Sequence, residues 1–258
     1  MIPKNSHQQH TVGVCCRTEN LQLAENLAKQ LNLPLTAYGD TKFDLLVVVT
    51  DHYLGLDIPA AQWKQPFYID FSQAQLRYRQ QHASFKSEHI ARAMGCKPED
   101  QAVIVDATAG LGRDSFILAS LGYSVILIEQ SQLIFLLLEN AYQRSLQQVD
   151  LQTIFARWKL YNCSAETFLS TYTHPIDIVY LDPMFPERTK SAAVKKDMQI
   201  LQQLALATSD AEALFNLAIS CARKRVVVKR PRLSNFITAT KPNFSLTGKS
   251  TRFDIYLV

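Results

Sequence analysis

The feature that most constrains the fold is a regular alternation of apolar strands and amphipathic helices, which begins near Val103 and continues almost to the last residue. Short apolar runs such as SVILIE and IDIVYLD are typical of buried strands, and helical segments separate them. Strands joined by helices pair in parallel, with helices on both faces of the sheet. The final strands, NFSLTGKS and RFDIYLV, have no helix between them, which predicts an antiparallel member at the end of the sheet.

The N-terminal part of the chain predicts a separate, smaller α/β unit. Residues 11–71 contain a strand, VGVCC, a helix, LQLAENLAKQL, and two further strands, DLLVVVT and PFYIDF. A polar, basic connector with helical spacing follows at 72–95. We therefore predict a small N-terminal α/β domain at 1–75 and a larger α/β domain with a parallel sheet at 76–258.

Composition excludes several classes of protein. Of the 258 residues, 47% are hydrophobic and 19% are charged, which is typical of a globular protein. No apolar run reaches the ~18 residues of a membrane span, and the polar N-terminus does not resemble a signal peptide. The five cysteines show no CxxC spacing and the six histidines are scattered. We expect a cytoplasmic protein with reduced thiols, no metal site and no membrane partner.

A glycine-bearing turn, VDATAGLGRD, follows the first strand of the larger domain, which ends near Asp106. In an open parallel sheet, ligands bind beyond the carboxyl ends of the strands where the strand order reverses. Gly110 and Gly112 allow a tight turn and close approach of a ligand to the start of the next helix. Glu129 ends the second strand, 19 residues after Gly110, where a carboxylate can accept hydrogen bonds from ribose hydroxyls.

The turn departs from the GxGxxG pattern of dinucleotide-binding proteins. Ser115 stands in the third glycine position, and Asp114 would repel a pyrophosphate at close range. An acidic turn suits a cationic nucleoside better, and S-adenosylmethionine, whose ribose carries a sulfonium and an amino acid, is such a ligand. The alternative is an ordinary glycine turn without a ligand.

A second motif, YLDPMFPERTK at 180–190, predicts the catalytic residues. The Asp182 carboxylate and the Pro183 carbonyl can accept hydrogen bonds from an exocyclic amine, which favours a pyramidal nitrogen and stabilises its developing charge. Phe185 offers a flat face on which a base can stack. The motif approximates [DN]PP[FYW] of amino-group methyltransferases, with Met184 in place of the second proline. A capped strand end in a turn is the alternative.

The C-terminal third carries the positive charge of the chain. After Pro186 there are thirteen Lys and Arg residues against five Asp and Glu residues, which is typical of a surface that faces a polyanion. A solvated charged surface is the alternative. The basic residues best placed to contact RNA phosphates near the second motif are Arg188, Lys190, Lys195, Lys196, Lys229 and Arg230.

Four segments together resemble the ribosomal RNA small-subunit methyltransferase J family: DATAGLGRDSFILASLG, VYLDPMFPERTKSAAVKKDM, RVVVKRP and RFDIY. The resemblance extends from about Phe67 to Val258. It implies a Rossmann-like class I fold that uses S-adenosylmethionine, and N2-methylation of one guanosine in 16S ribosomal RNA, presented as naked RNA or in the small subunit. It also implies the cofactor positions Arg113, Asp114, Glu129, Gln130, Ser164, Ala165 and Asp182. At Gln130 and Ala165 the chain departs from the arginine and serine that are common in the family.

Three other functions remain open at this stage. An N6-adenine or other amino-group methyltransferase would use the same clamp chemistry. A nicotinamide-dependent dehydrogenase would need the third glycine and would not use Asp182 and Pro183. A non-catalytic RNA-binding protein could retain the fold without the activity. Nothing in the sequence indicates an obligate partner subunit, and we expect a monomer.

Overall fold

The computed structural model describes residues 10–17, 21–183, 196–204 and 210–258, and the chain divides into two compact units. The first unit comprises Met1–Ile69 and Ala192–Leu204, and the second comprises Asp70–Ser191 and Ala205–Val258. Residues 70–75, which the sequence places in the N-terminal domain, belong to the second unit. Phe71 illustrates why, because its ring stacks on Phe116 of that unit with the centroids 5.1 Å apart.

The first unit contains a three-stranded sheet in the order β1-β2-β3. Its elements are β1 (Val12–Cys16), α1 (Leu21–Leu31), β2 (Leu45–Val49), β3 (Leu54–Asp57) and the later helix α8 (Lys196–Leu204). Strand β1 pairs in parallel with β2, which is buried along its whole length, and β2 pairs in antiparallel with β3. The predicted strand PFYIDF is wrong, because Phe67 forms only an isolated bridge with Leu56. Pro66 precedes it and has no N–H with which to extend the ladder.

The second unit is a seven-stranded sheet with helices. Its elements are α2 (Ala74–His82), α3 (His89–Met94), β4 (Ile104–Asp106), α4 (Arg113–Ser120), β5 (Val125–Glu129), α5 (Gln132–Leu146), α6 (Val149–Phe155), β6 (Trp158–Asn162), α7 (Ala165–Thr171), β7 (Ile176–Leu181), α9 (Ala211–Cys221), β8 (Ala222–Pro231), β9 (Phe244–Thr247) and β10 (Thr251–Leu257). The alternation predicted from the sequence is confirmed. The sequence pattern does not predict α6 as a helix separate from α5.

The strand order of this sheet is β6-β5-β4-β7-β8-β10-β9. Strands β4 to β8 pair in parallel, whereas β10 lies antiparallel to both β8 and β9. The predicted antiparallel member at the end of the sheet is therefore confirmed. From β4 the chain first adds strands on one side and then returns to add β7 on the other. This reversal opens a crevice beyond the carboxyl ends of β4 and β7.

A cluster of four aromatic side chains packs against the start of α4. Phe71 stacks on Phe116, and the Trp158 ring meets Phe71 and Phe155 edge to face, with centroids 5.4 Å and 4.7 Å apart. All four side chains are buried. Buried aromatic pairs in these geometries stabilise a fold beyond their area burial. The cluster therefore gives the turn between β4 and α4 a rigid base.

Candidate active site

The two glycines of the turn after β4 have different structural roles. Both have positive φ, 52° at Gly110 and 72° at Gly112, which an L-residue adopts only with strain. A Cβ at Gly112 would lie 2.8 Å from Leu138 and 2.9 Å from Trp158, whereas at Gly110 the nearest atom would be the Thr108 carbonyl, 3.8 Å away. Gly112 thus lets the turn pack on the core, and Gly110 leaves open space on its outer side.

Glu129, at the end of β5, fastens this turn to the neighbouring strand. Its carboxylate accepts hydrogen bonds from the N–H of Gly110 at 2.9 Å and from the N–H of Ser131 at 2.7 Å. Burial raises the pKa of Glu129 above its usual value, although the backbone donors oppose this. Each carboxylate oxygen keeps a second lone pair, so the predicted ribose contact is compatible with this bracing.

Asp106, at the end of β4, is almost completely buried. It accepts a 2.5 Å hydrogen bond from the Ser115 hydroxyl and a 3.2 Å bond from the Thr108 N–H. Burial raises its pKa to about 7, and these two donors moderate the rise. The Asp106 carboxyl therefore binds a proton near neutral pH and anchors the turn to the first residues of α4.

Asp182 follows β7 directly and lies across the crevice from this turn. Its N–H donates a 2.6 Å hydrogen bond to the Thr108 hydroxyl, which fixes the two strand ends to each other. Its side chain remains 40% exposed, so a substrate can reach the carboxylate, and Pro183 behind it is buried. Phe185, the third predicted catalytic residue, lies outside the described residues.

Lys229 of β8 joins two carboxylates of the site. Because Leu181 pairs with Val228, Lys229 lies beside the end of β7. Its ammonium contacts Asp182 at 2.9 Å and Asp114 at 2.7 Å. The sequence predicts that Lys229 contacts RNA phosphates and does not indicate this ion pair. The only signal was its place at the end of a buried strand parallel to β7.

Asp114, in the first turn of α4, has three donors. Besides Lys229, the Tyr180 hydroxyl donates to it at 2.8 Å, and the Arg79 guanidinium lies 3.6 Å away. Arg79 also forms a two-fold hydrogen bond with Glu88, at 2.7 and 3.1 Å. The connector at 72–95, for which the sequence predicts a polar, basic segment with helical spacing, thus contributes a charge to the site.

These contacts set the protonation of the site. Burial acts to raise the pKa of Asp114, but Lys229 and Arg79 lower it below its usual value. Burial and the neighbouring Asp114 raise the pKa of Asp182, and Lys229 opposes them. Burial acts against the Lys229 ammonium, yet the two carboxylates raise its pKa well above the usual value. Lys229 is therefore a permanent cation, and it favours the ionised form of both acids.

The other residues expected to contact a cofactor lie at the ends of β5 and β6 and at the start of α4. Gln130 and Arg113 are exposed, and Ala165 is buried. Ser164 caps α7, since its hydroxyl accepts a hydrogen bond from the Thr167 N–H at 3.1 Å. Asn162, which the sequence analysis missed, donates to the Glu129 carbonyl at 2.8 Å and so ties the ends of β5 and β6 together.

The predicted RNA-binding residues have different surroundings. Arg188, Lys190 and Lys195 lie outside the described residues. Lys196 belongs to the first unit, where its ammonium lies 5.0 Å from the centre of the Trp63 ring and donates to the Gln65 carbonyl at 2.8 Å. Arg230 is buried in β8, and its Nε donates to the Asn235 carbonyl at 3.0 Å.

The donor set fits a cationic nucleoside. Asp114, Asp182 and Glu129 supply carboxylate oxygens along one edge of the sheet, around a turn whose outer side is open at Gly110. The amides of Gly110 and Gly112 already donate to Glu129 and to the Ala109 carbonyl, so they do not form a phosphate cradle. Within the described part of the chain, no three metal-ligating side chains come together. In the same part, no helix is long and apolar enough to cross a membrane.

Comparisons with known proteins give consistent results. A family model described as "Putative SAM-dependent methyltransferase" matches residues 26–258. Proteins named ribosomal RNA small subunit methyltransferase J are 40% identical in Coxiella burnetii, over 92% of this chain and 93% of the relative, and 42% identical in Nitrosococcus oceani, over 93% and 95%. The crystal structure of a SAM-dependent methyltransferase from Neisseria gonorrhoeae superimposes with a TM-score of 0.72 at 30% identity and covers 95% of both chains.

Proposed function

Since this chain belongs to the SAM-dependent methyltransferase family that includes the proteins named ribosomal RNA small subunit methyltransferase J, we propose that it methylates the exocyclic N2 amino group of one guanosine in 16S ribosomal RNA. The protein is a class I, Rossmann-like methyltransferase whose cofactor is S-adenosylmethionine. The observation that supports the proposed reaction best is Asp182 at the reversal of strand order, partly exposed and paired with a permanent cation.

Bound S-adenosylmethionine supplies an electrophilic methyl group on a sulfonium. In our proposal Glu129, with Gln130 beside it, faces the ribose, and Ser164 and Ala165 border the base. Asp106 and Arg113 flank the turn, and Asp114 attracts the positive end of the ligand. The turn at Gly110 and Gly112 is fastened by Glu129 and packed on the aromatic cluster, which restricts its conformations. Such preorganisation reduces the entropy that must be lost on binding.

Asp182 and Pro183 act on the target amine in this proposal. The Asp182 carboxylate and the Pro183 carbonyl accept hydrogen bonds from its two hydrogens, so that the nitrogen lone pair is directed at the methyl carbon. Methyl transfer would form the nitrogen–carbon bond as the carbon–sulfur bond breaks, with S-adenosylhomocysteine as the leaving group, and the nitrogen would then lose one proton to bulk water. Asp182 stabilises the charge that develops on nitrogen, and we place Phe185 on the face of the base.

Lys229 is not a proton acceptor in this scheme, because its pKa is raised and it stays charged. Its role is to keep Asp182 ionised despite desolvation and the nearby Asp114 carboxylate. An ionised Asp182 is an acceptor with no proton of its own, which is the form that the clamp needs. Lys229 is thus a positioning residue for the reaction.

We also propose that Arg188, Lys190, Lys195 and Lys196 contact phosphates of the RNA, since they follow Asp182, Pro183 and Phe185 closely in sequence. Such contacts position RNA without reading its bases. Lys229 and Arg230 are engaged within the second unit, so we assign them to the support of the site. Affinity for the RNA should fall steeply with salt, and an affinity that is independent of salt would refute the phosphate contacts.

The decisive experiment maps the methyl group. Small-subunit RNA or subunits from a strain that lacks the enzyme are incubated with the protein and S-adenosylmethionine labelled in its methyl group, and the modified nucleoside is identified by mass spectrometry. N2-methylguanosine at one position supports the proposal. N6-methyladenosine would replace it with the adenine alternative, and a protein that binds RNA without transfer would refute catalysis. Naked RNA and subunits are compared side by side.

Calorimetry provides a separate test of the cofactor site. We expect S-adenosylmethionine to bind and NADH not to bind, because the acidic turn repels a pyrophosphate. The proposal includes a monomer that acts in the cytoplasm. Size-exclusion chromatography with light scattering tests the monomer, and a mass of two chains would refute it.

A further inference from the structure

Leu233 has an unusual environment for an apolar side chain. It is 92% exposed, more than any other large hydrophobic residue among those that the structure describes. Single exposed apolar residues are common on protein surfaces and need no explanation by themselves. Leu233 differs from such residues in the contacts that hold its backbone in place and in its position near the active site.

Leu233 lies in a loop, residues 232–236, whose backbone is hydrogen-bonded to the Arg252 side chain. The Arg252 guanidinium donates to the carbonyls of Arg232 and Ser234, both at 3.1 Å. The same guanidinium forms a two-fold ion pair with the fully buried Asp254, at 2.7 and 2.9 Å. A charge-paired arginine that binds two carbonyls on either side of Leu233 restrains the backbone that carries it.

Further contacts restrain the rest of this loop. Arg230 donates to the Asn235 carbonyl at 3.0 Å, and the Ser234 N–H donates to the Pro231 carbonyl at 3.1 Å. The Phe236 ring lies 4.8 Å from the Arg252 guanidinium. The loop is therefore ordered without any contribution from the Leu233 side chain, which it presents to solvent.

The loop lies at the active-site edge of the sheet. It follows β8 directly, and β8 runs parallel to β7, so both strands end at the same edge. Lys229 contacts Asp182, and Leu233 is four residues further along the chain. Four extended residues span at most about 13 Å, which is a distance that one or two nucleotides can bridge.

The charge of this segment favours RNA as the molecule that covers Leu233. From Ala213 to Phe253 the sequence contains nine Lys and Arg residues and no Asp or Glu. Arg232, beside Leu233, is exposed. Lys224, Lys229 and Arg252 are paired with carboxylates, so Arg232 is the cation of this segment that we assign to the ligand. An apolar side chain beside an exposed cation, in a segment without acidic residues, fits a nucleic acid, whose phosphates meet the cation and whose bases present apolar faces.

We propose that Leu233 is a wedge that enters the base stack of the RNA beside the target nucleotide. The inference rests on the proposed function, since a base reaches Asp182 only after it leaves its stack. Extrusion breaks the stacking and pairing of the target base, and an apolar side chain that occupies the disrupted base step offsets part of that loss. Leu233 fills the gap, and Arg232 holds an adjacent phosphate.

The test compares Leu233→Ala with Leu233→Met and with Val149→Ala. Val149 is 84% exposed on α6 of the same unit and has no part in the proposed site, so it controls for loss of an exposed apolar residue. Each variant methylates two RNA fragments that contain the mapped guanosine, one base-paired and one unpaired at that nucleotide. We expect Leu233→Ala to reduce kcat/KM about tenfold on the paired fragment and less than about twofold on the unpaired one. Leu233→Met and Val149→Ala should match the wild type.

A second readout does not depend on catalysis. The fluorescence of 2-aminopurine placed next to the target rises when its stacking is lost, and we expect a smaller rise with Leu233→Ala than with the wild type. Equal losses of activity on both fragments, or full activity of Leu233→Ala on the paired one, would overturn the wedge. If the wild-type protein binds the cofactor but methylates neither fragment, the proposed substrate is wrong. The fluorescence measurement still tests the wedge in that case, because a rise with Leu233→Ala equal to that of the wild type would refute it.

Discussion

Replacing Lys229 by glutamine tests the electrostatic argument for the active site. The variant keeps a polar side chain of similar length but removes the charge that Asp114 and Asp182 share at 2.7 and 2.9 Å. Losing one partner of a fully buried ion pair costs about 3–5 kcal/mol, and losing one of an exposed pair about 0–1 kcal/mol. Lys229 is 23% exposed and Asp182 is 40% exposed, so we expect an intermediate loss of about 2 kcal/mol in the free energy of unfolding.

The chain offers a matched control on the same strand. Lys224, at the start of β8, pairs with Asp177 at 3.1 Å, but it lies at the end of the sheet opposite the active site and is 51% exposed. Lys224→Gln should therefore cost less than about 1 kcal/mol and leave methyl transfer unchanged. Urea unfolding at one pH measures both variants.

Lys229→Gln should also change the rate of methyl transfer and its dependence on pH. Lys229 lowers the pKa of Asp182, so its removal raises that pKa, and the acidic limb of the kcat/KM profile should move to higher pH. At neutral pH a lost charge-assisted hydrogen bond of about 1.5–3 kcal/mol corresponds to a ten- to hundredfold slower reaction. A Lys229→Gln enzyme with the wild-type rate and an unmoved acidic limb would refute the role of Lys229.

Three further perturbations follow from the structure. Asp182→Ala should lower turnover ten- to hundredfold in a folded protein, and an unchanged rate would remove Asp182 from the mechanism. The pKa of Asp106 is about 7 in the folded protein and near 4 in the unfolded chain, so the free energy of unfolding should fall as the pH rises from 4 to 7. This fall is on the order of 4 kcal/mol. Asp106→Asn should abolish it, as measured by urea unfolding at pH 4 and pH 8. Gly112→Ala should lose about 2–4 kcal/mol in thermal unfolding because its Cβ meets Leu138 and Trp158, whereas Gly110→Ala should lose only about 1 kcal/mol, and equal losses would contradict the packing argument.

The sequence was most informative where a local pattern determines the structure. Apolar runs and helical spacing predict β4 to β8 and the helices between them except α6, because a buried parallel sheet requires continuous apolar strands. The motif positions of Asp106, Asp114 and Asp182 brought three carboxylates to one edge of the sheet, as the rule for parallel strands predicts.

What the sequence did not predict depends on contacts between distant residues. Strand β3 was missed because LGLD is short and contains a glycine, and its place at the edge of the small sheet is set by pairing with β2. The shared ion pair at Lys229 follows from the register between β7 and β8, which no local pattern specifies. Arg79 reaches Asp114 across 35 residues of sequence for the same reason.

The Lys229 ammonium pairs with both Asp114 and Asp182, and this shared ion pair couples the binding of the cofactor to the binding of the RNA. A cationic ligand that approaches Asp114 competes with Lys229 for that carboxylate and leaves the ammonium freer to neutralise Asp182. The affinity for one substrate should then change with occupancy by the other, and by the same factor in both directions. Titrations of a cationic, non-reactive analogue of S-adenosylmethionine with and without the RNA fragment would measure that factor, which should approach one in Lys229→Gln.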